Sequence, residues 1–418
     1  MGILPALVSF AGSTCLAGSP AGSDPTRQQQ NKSVAVGWGA APPEGSAVPV
    51  GGADPVGGAG SIPSLRNPAS PDGPNARQGE LIFAPIPISS EAIGVGLAPV
   101  VAYVFFPSNS DRVSPPSTLA AAGLFTSTRT YGGGLAGMLN LKEDRYRLTF
   151  LIGAARARYQ FFGIGSAAGS AGNPIWLSQH GHAVLLQGLR RLKWNIFAGP
   201  RFSHRQVKAA GESPASDLGS QAPPLPAFQD QLNWAITSAA FGFRVQRDTR
   251  DDLFYPRHGS RVDGRADFFG PYIGSSFTFQ AYQFEANKYL SLGPRQVLAL
   301  RGMGCGVTGS RIPFFELCQF GTLGDLRGYQ TGRSRDRTMF ATQAEWRVEV
   351  WKRLGGVVFG GVGDVAPAWS AYNFSELLPG GGLGLRYNLS KQRRIHLRLD
   401  GAYSKTGASW SMGVAEVF

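Results

Sequence analysis

From Ile93 onward, short segments in which apolar and polar side chains alternate follow one another almost without interruption. Between Ile395 and Gly401, the residues Ile395, Leu397 and Leu399 share one parity, and His396, Arg398 and Asp400 share the other. Between Ala344 and Val350, Trp346, Val348 and Val350 oppose Glu345, Arg347 and Glu349. Between Arg261 and Phe268, the charges Asp263, Arg265 and Asp267 oppose Val262, Ala266 and Phe268. A period of two puts successive side chains on opposite faces of a sheet. No stretch of a dozen residues reads as an amphipathic helix, which argues against βαβ units.

Fifteen segments read as strands: 93–104, 118–129, 131–142, 146–160, 181–193, 194–207, 230–248, 260–269, 275–289, 295–304, 338–350, 354–363, 379–390, 394–403 and 409–418. A soluble sandwich would show the same alternation with its apolar face inward. Number and monotony favour a transmembrane barrel, in which apolar residues face lipid and charged ones a polar lumen. The expected fold is therefore all-β, a closed 16-stranded antiparallel transmembrane β-barrel. Closure would pair every strand edge. Single-chain bacterial barrels have an even number of strands. A sixteenth is thus expected within 161–180, where Phe161–Gly165 and Pro174–Leu177 are candidates. Tyrosine and tryptophan recur near strand ends, as at Tyr103, Tyr131, Trp194, Trp351, Trp369, Tyr403 and Trp410. Rings at headgroup depth would explain this, and core packing would explain part of it too.

The first ninety residues differ in kind. Gly51–Gly60 and Asn67–Pro74 have few large side chains and no period. Such composition buries too little apolar area to offset backbone ordering. We expect an apolar leader or secretion signal over 1–19, without the usual positively charged start. A Gly/Pro-rich flexible arm over 20–84 and the barrel over 85–418 would follow. A coil packed on the main domain is the alternative for the arm. No window reaches 18 consecutive apolar residues, so a helical span is not expected.

The 40 Lys and Arg against 27 Asp and Glu give a net charge of +13. That would also suit a nucleic-acid binder, but the basic residues are spread singly through apolar segments, so no nucleic-acid partner is expected. No G-x-S-x-G elbow, H-E-x-x-H or P-loop occurs, so neither an enzyme nor a cofactor is expected. His180 and His182 could bind a metal from one strand face, but no acid lies near them in sequence. Asp251 and Asp252 read as turn residues.

Four segments, in order, carry a resemblance: Pro87–Leu97; Asp248–Gly259; Gly324-Asp-Leu-Arg-Gly-Tyr329 with Asp336-Arg-Thr and Glu345-Trp-Arg347 after it; and Phe359–Val365. Together they resemble the outer-membrane surface-antigen superfamily, whose best-known members are the barrel-assembly and translocation-assembly proteins. The resemblance spans roughly 85–418. It implies a bacterial outer-membrane location, with outer-membrane lipid and lipopolysaccharide as surroundings. It also implies a long extracellular loop folded inward, carrying Arg327, Gly328 and Tyr329. Arg327 would pair with Glu345 on the inner wall, where Arg347 and Glu349 share its face. The second acid of the family falls at Gly361, so Asp364 is the nearby candidate. Phe418 would be the terminal aromatic of the export signal. Counting back in twos from Phe418 puts Glu416 in the lipid-facing register. Cys305 and Cys318, thirteen apart, could form a disulfide in an oxidising envelope or remain two thiols.

Assembly members of the family carry polypeptide-transport-associated domains of about 75 residues, and the arm shows no such pattern. Three roles follow: assisting insertion or translocation of protein or lipid; partnering a separate periplasmic accessory protein, such as a patatin-like module; or acting as a passive diffusion pore.

Overall fold

The computed structural model describes residues 79–418, apart from 91–93, 109, 112, 172–173, 213–228, 253–254, 320, 322–324, 331, 352, 391–393 and 415. The expected leader, most of the arm and any domain preceding the strands lie outside these residues.

Strands dominate. They are β1 (Glu80–Ser90), β2 (Gly94–Phe105), β3 (Ser117–Thr126), β4 (Tyr131–Leu141), β5 (Tyr146–Phe161) and β6 (Ile175–Arg191). Next come β7 (Ile196–Gly211), β8 (Ala235–Asp248), β9 (Gly259–Phe269), β10 (Phe279–Gly293), β11 (Gln296–Thr308) and the two-residue β12 (Cys318–Gln319). Last are β13 (Arg335–Asp336), β14 (Thr338–Trp351), β15 (Leu354–Ala366), β16 (Leu378–Ser390), β17 (Ile395–Ser404) and β18 (Gly407–Val414). A six-residue helix, α1 (Ser166–Ala171), sits between β5 and β6. Sixteen strands make one sheet in which neighbours in sequence are neighbours in space, and β12 pairs with β13 separately.

The expected closed barrel is not what forms. The sheet order runs from β1 to β18 and, among the described residues, no ladder joins its two ends, so the sheet is open. Its edges give the physical reason. Pro85 faces Pro99 across the β1–β2 ladder, and Pro87 faces Leu97. Two facing prolines can only be a non-hydrogen-bonded pair, because neither has an N–H. The missing donors of Pro85 and Pro87 therefore fall on the free edge of β1, which is where prolines are tolerated in sheets. At the other edge, β18 keeps only eight residues. Beyond it the chain turns inward, and Val417 and Phe418 are buried beside Tyr289 and Ala299.

The sixteenth strand is β1, not a segment of 161–180. That region holds the end of β5, the short helix and the start of β6. Two prolines in Pro85-Ile-Pro87 obscured β1, since proline in a run argues against a strand interior.

The faces separate as alternation demands. On β14, Gln343, Glu345 and Arg347 are buried while Trp346 and Val350 are exposed. Exposed Leu148, Ile152, Leu186, Phe241, Phe243, Leu383 and Leu385 continue the apolar outer face. Trp194 and Trp351 lie exposed at the end with short turns, and Trp369, Tyr403 and Trp410 at the end with long connections. Tyr159, Tyr255 and Tyr289 are buried instead. The sheet curls enough for Tyr255, between β8 and β9, to bring its ring within 4.6 Å of the His396 ring on β17.

The connection from β11 to β14 folds onto the charged face. Its root is fixed twice, by the β12–β13 ladder and by a disulfide between Cys305 on β11 and Cys318 on β12. Closing a loop of this length stabilises a fold by about 2–4 kcal/mol. Replacing both cysteines with serine is expected to lower the unfolding free energy measured in urea by that amount, with the midpoint falling in proportion. Reducing the native protein should match it, and an unchanged midpoint in both cases would show that the ladder alone secures the root.

Candidate functional site

Leu326, Arg327, Gly328 and Tyr329 each serve a separate need at the tip of this loop. Leu326 is buried, and Gly361 and Gly380 lie against its side chain. Gly328 has φ +102, and a Cβ there would come within 3.3 Å of the Ser404 Cβ. Both the left-handed backbone and the close approach to β17 call for glycine. Ser404 Oγ donates to the Gly328 carbonyl at 2.7 Å. Tyr329 donates its hydroxyl to the Pro379 carbonyl at 2.7 Å and accepts from the Lys405 N–H at 3.3 Å. Burial pushes the Tyr329 phenol above its ordinary value, so it stays a neutral donor.

Arg327 reaches the charged face of β14–β17. Its Nη2 pairs with Glu345 Oε2, and its Nη1 lies 3.1 Å from Asp400 Oδ2. Gln343 Oε1 accepts from its backbone N–H at 3.2 Å and from its Nε at 3.3 Å. The guanidinium carbon stands 3.4 Å from the centre of the Phe359 ring. A buried arginine needs this set: two carboxylates to offset desolvation and a ring face for the planar group.

The network continues outward from Glu345, which also takes Arg347 Nε at 2.6 Å and Arg386 Nη2 at 3.8 Å. Asp400 takes Arg386 Nη1 at 2.6 Å and Arg398 Nη1 at 3.1 Å. Glu416 takes Arg386 Nε at 2.8 Å and His396 Nδ1 at 3.0 Å. Arg347 Nη2 donates to the Phe418 carbonyl at 2.7 Å. Four arginines thus face three carboxylates, all with nearly inaccessible side chains.

Placement of the residues anticipated from sequence is uneven. Arg327, Gly328, Tyr329, Glu345 and Arg347 converge. Asp364 does not join them: its carboxylate accepts from the Val365 N–H at 2.8 Å, and no ion pair to Arg327 forms. Glu349 lies at the far end of β14 and forms no ion pair among the described residues. Phe418 is buried on the inner side. Glu416 is inner as well, against the lipid-facing register obtained by counting in twos, because the chain leaves the ladder after Val414. Asp400, Arg386, Arg398 and Glu416 are the participants that pattern reading did not assign. Alternation had put Arg398 and Asp400 on one polar face, but nothing in sequence pointed that face at Arg327.

A second inner cluster lies on β7–β11. Arg244 Nη2 pairs with Asp263 at 2.6 Å, Arg301 Nη1 with Glu285 at 3.0 Å, and Arg201 Nε with Asp267 at 3.1 Å. Neither cluster presents a nucleophile beside a base. The first cluster clamps the loop tip, and the second joins strand to strand.

Residues 158–405 match the Omp85 superfamily domain. The chain belongs to this superfamily. Among solved structures it is similar to BamA from Haemophilus ducreyi lacking POTRA domains 1–3, at 15% identity and a TM-score of 0.54, covering 80% of this chain and 70% of that one. It is also similar to CdiB from Acinetobacter baumannii, at 11% identity and a TM-score of 0.50, covering 81% of this chain and 65% of that one. At these identities the likeness is one of fold. No curated protein matches the chain. Omp85 membership and the fold point to the outer membrane, and the chain is read as a membrane protein there rather than as an enzyme.

Proposed function

We propose that this Omp85 protein assists the insertion or translocation of protein or lipid at the outer membrane. The observation that carries this is the open sheet: a membrane cannot satisfy free strand edges, so they present unpaired backbone groups to an incoming chain. The clamped loop supports it, since Arg327 and Tyr329 hold the tip against β14–β17 while the edges stay free. An open sheet with unpaired edges suits a protein that offers a template better than it suits a passive pore.

The test is reconstitution of the full chain into lipid vesicles, followed by addition of a urea-unfolded outer-membrane β-protein. Protease protection of that substrate should appear several times faster than in protein-free vesicles. Equal rates together with a steady ion conductance would overturn the proposal in favour of the pore.

A further inference from the structure

The outer face of the sheet is apolar almost throughout, with one conspicuous exception on β5–β7. Arg156 on β5 is the register partner of His180 on β6, and His180 is the partner of Lys208 on β7. All three are exposed, on the parity of the outward Ile152 and Leu186. His182 follows on the same face, its ring 5.7 Å from that of His204. The cations Arg156 and Lys208 flank His180 two strands apart, about 10 Å at the usual strand spacing, so one anion between them can meet both. Among the described residues, the side chains of Arg156, His180 and Lys208 have neither an ion pair nor a hydrogen bond. The acid at this edge, Glu212, is taken by Arg158, whose guanidinium also covers the Trp176 ring at 4.2 Å.

Depth says what neutralises the row. From Tyr146, at the short-turn end of β5, to Arg156 is ten residues along the strand. That is about 33 Å along the strand, or about 25 Å along the membrane normal at the usual tilt. The apolar band of an outer-membrane sheet is about 25 Å tall, so this row stands at its upper border, on the side of the long connections. The anions at that depth are the phosphates of lipid headgroups, and a guanidinium binds phosphate through paired N–H groups.

We propose that Arg156, His180 and Lys208 form a binding site for an anionic phosphorylated membrane lipid, one whose phosphate no choline offsets, with acyl chains running down the apolar face over Ile152 and Leu186. The inference rests on the outer-membrane location alone and not on the role in insertion, so it stands or falls independently of the vesicle assay above.

Native mass spectrometry of the full chain in detergent provides the test, with lipid A as the phosphorylated glycolipid and phosphatidylcholine as the comparison. Lipid A should bind about tenfold more tightly than phosphatidylcholine. The double variant Arg156→Gln/Lys208→Gln should erase that preference while leaving β-sheet circular dichroism unchanged. Lys288→Gln, an exposed outward cation near the opposite border, should bind as the parent does. Inorganic phosphate at equal phosphate concentration should not displace the lipid. Undiminished preference in the double variant, an equal loss in Lys288→Gln, or displacement by inorganic phosphate would each overturn the proposal.

Discussion

Replacing Glu345 with alanine is expected to destabilise the protein by about 3–5 kcal/mol, the usual cost of leaving buried charge uncompensated. Glu345 is fully buried and contacts three arginines: Arg327, Arg347 and Arg386. The cluster already holds one more arginine than carboxylate, so losing this acid leaves four cations on two anions. Arg327→Ala is milder, because Glu345 keeps Arg347 and Arg386 and Asp400 keeps Arg386 and Arg398. Removing both residues should cost less than the sum of the two single losses, with a coupling of about 0.5–3 kcal/mol. Urea unfolding of the four proteins in one detergent measures the cycle. Strict additivity would mean that Arg327 and Glu345 do not support each other, and a loss below about 1 kcal/mol for Glu345→Ala would mean that water reaches the site.

The second large effect concerns the position at which the superfamily resemblance led us to expect an acid. Gly361→Asp should destabilise by about 3 kcal/mol rather than restore a stronger clamp. A Cβ built at Gly361 would lie 2.1 Å from the Thr342 carbonyl oxygen and 2.8 Å from Leu326 Cδ1. One contact is backbone within the β14–β15 ladder and the other is the loop tip itself, so neither can yield cheaply. Asp400, from β17, already supplies the second carboxylate to Arg327. Gly361→Ala separates the causes, since it shares the crowding without the charge. If Gly361→Asp is neutral or stabilising, Leu326 moves aside and Arg327 accepts a third acid.

That exchange of acids shows what could be read from the chain and what could not. Period two fixed which side chains share a face, so Glu345 with Arg347, and Arg398 with Asp400, were correctly grouped. The superfamily resemblance carried by the Leu-Arg-Gly-Tyr run implied a loop folded inward. Pattern could not say which wall the loop meets. Asp400 stands 73 residues beyond Arg327, and only the curl of the sheet brings β17 under the loop. Asp364 is closer in sequence yet accepts from its own neighbour's N–H. Strand reading failed where its rules were locally broken: at Pro85 and Pro87, which disguised an edge strand, and after Val414, where counting in twos no longer applied. The same two places explain why closure was wrongly expected. Alternation reports on faces and carries no information about whether the first strand meets the last.

The order in which the buried network can be completed follows from these separations. Arg327 and Glu345 are close in sequence, but Arg386, Arg398, Asp400 and Glu416 belong to the last strands and the segment after them. Until β16–β18 have docked, charges on the loop and on β14 have half their partners and must stay hydrated. Contacts of such long sequence separation form late, because loop-closure entropy is spent before they give any return. The network therefore acts as a completion check on the last three strands. A chain that stalls before β17 holds an unseated loop, with Arg327 and Tyr329 in water, and is open to proteases just where the finished protein is most tightly tied.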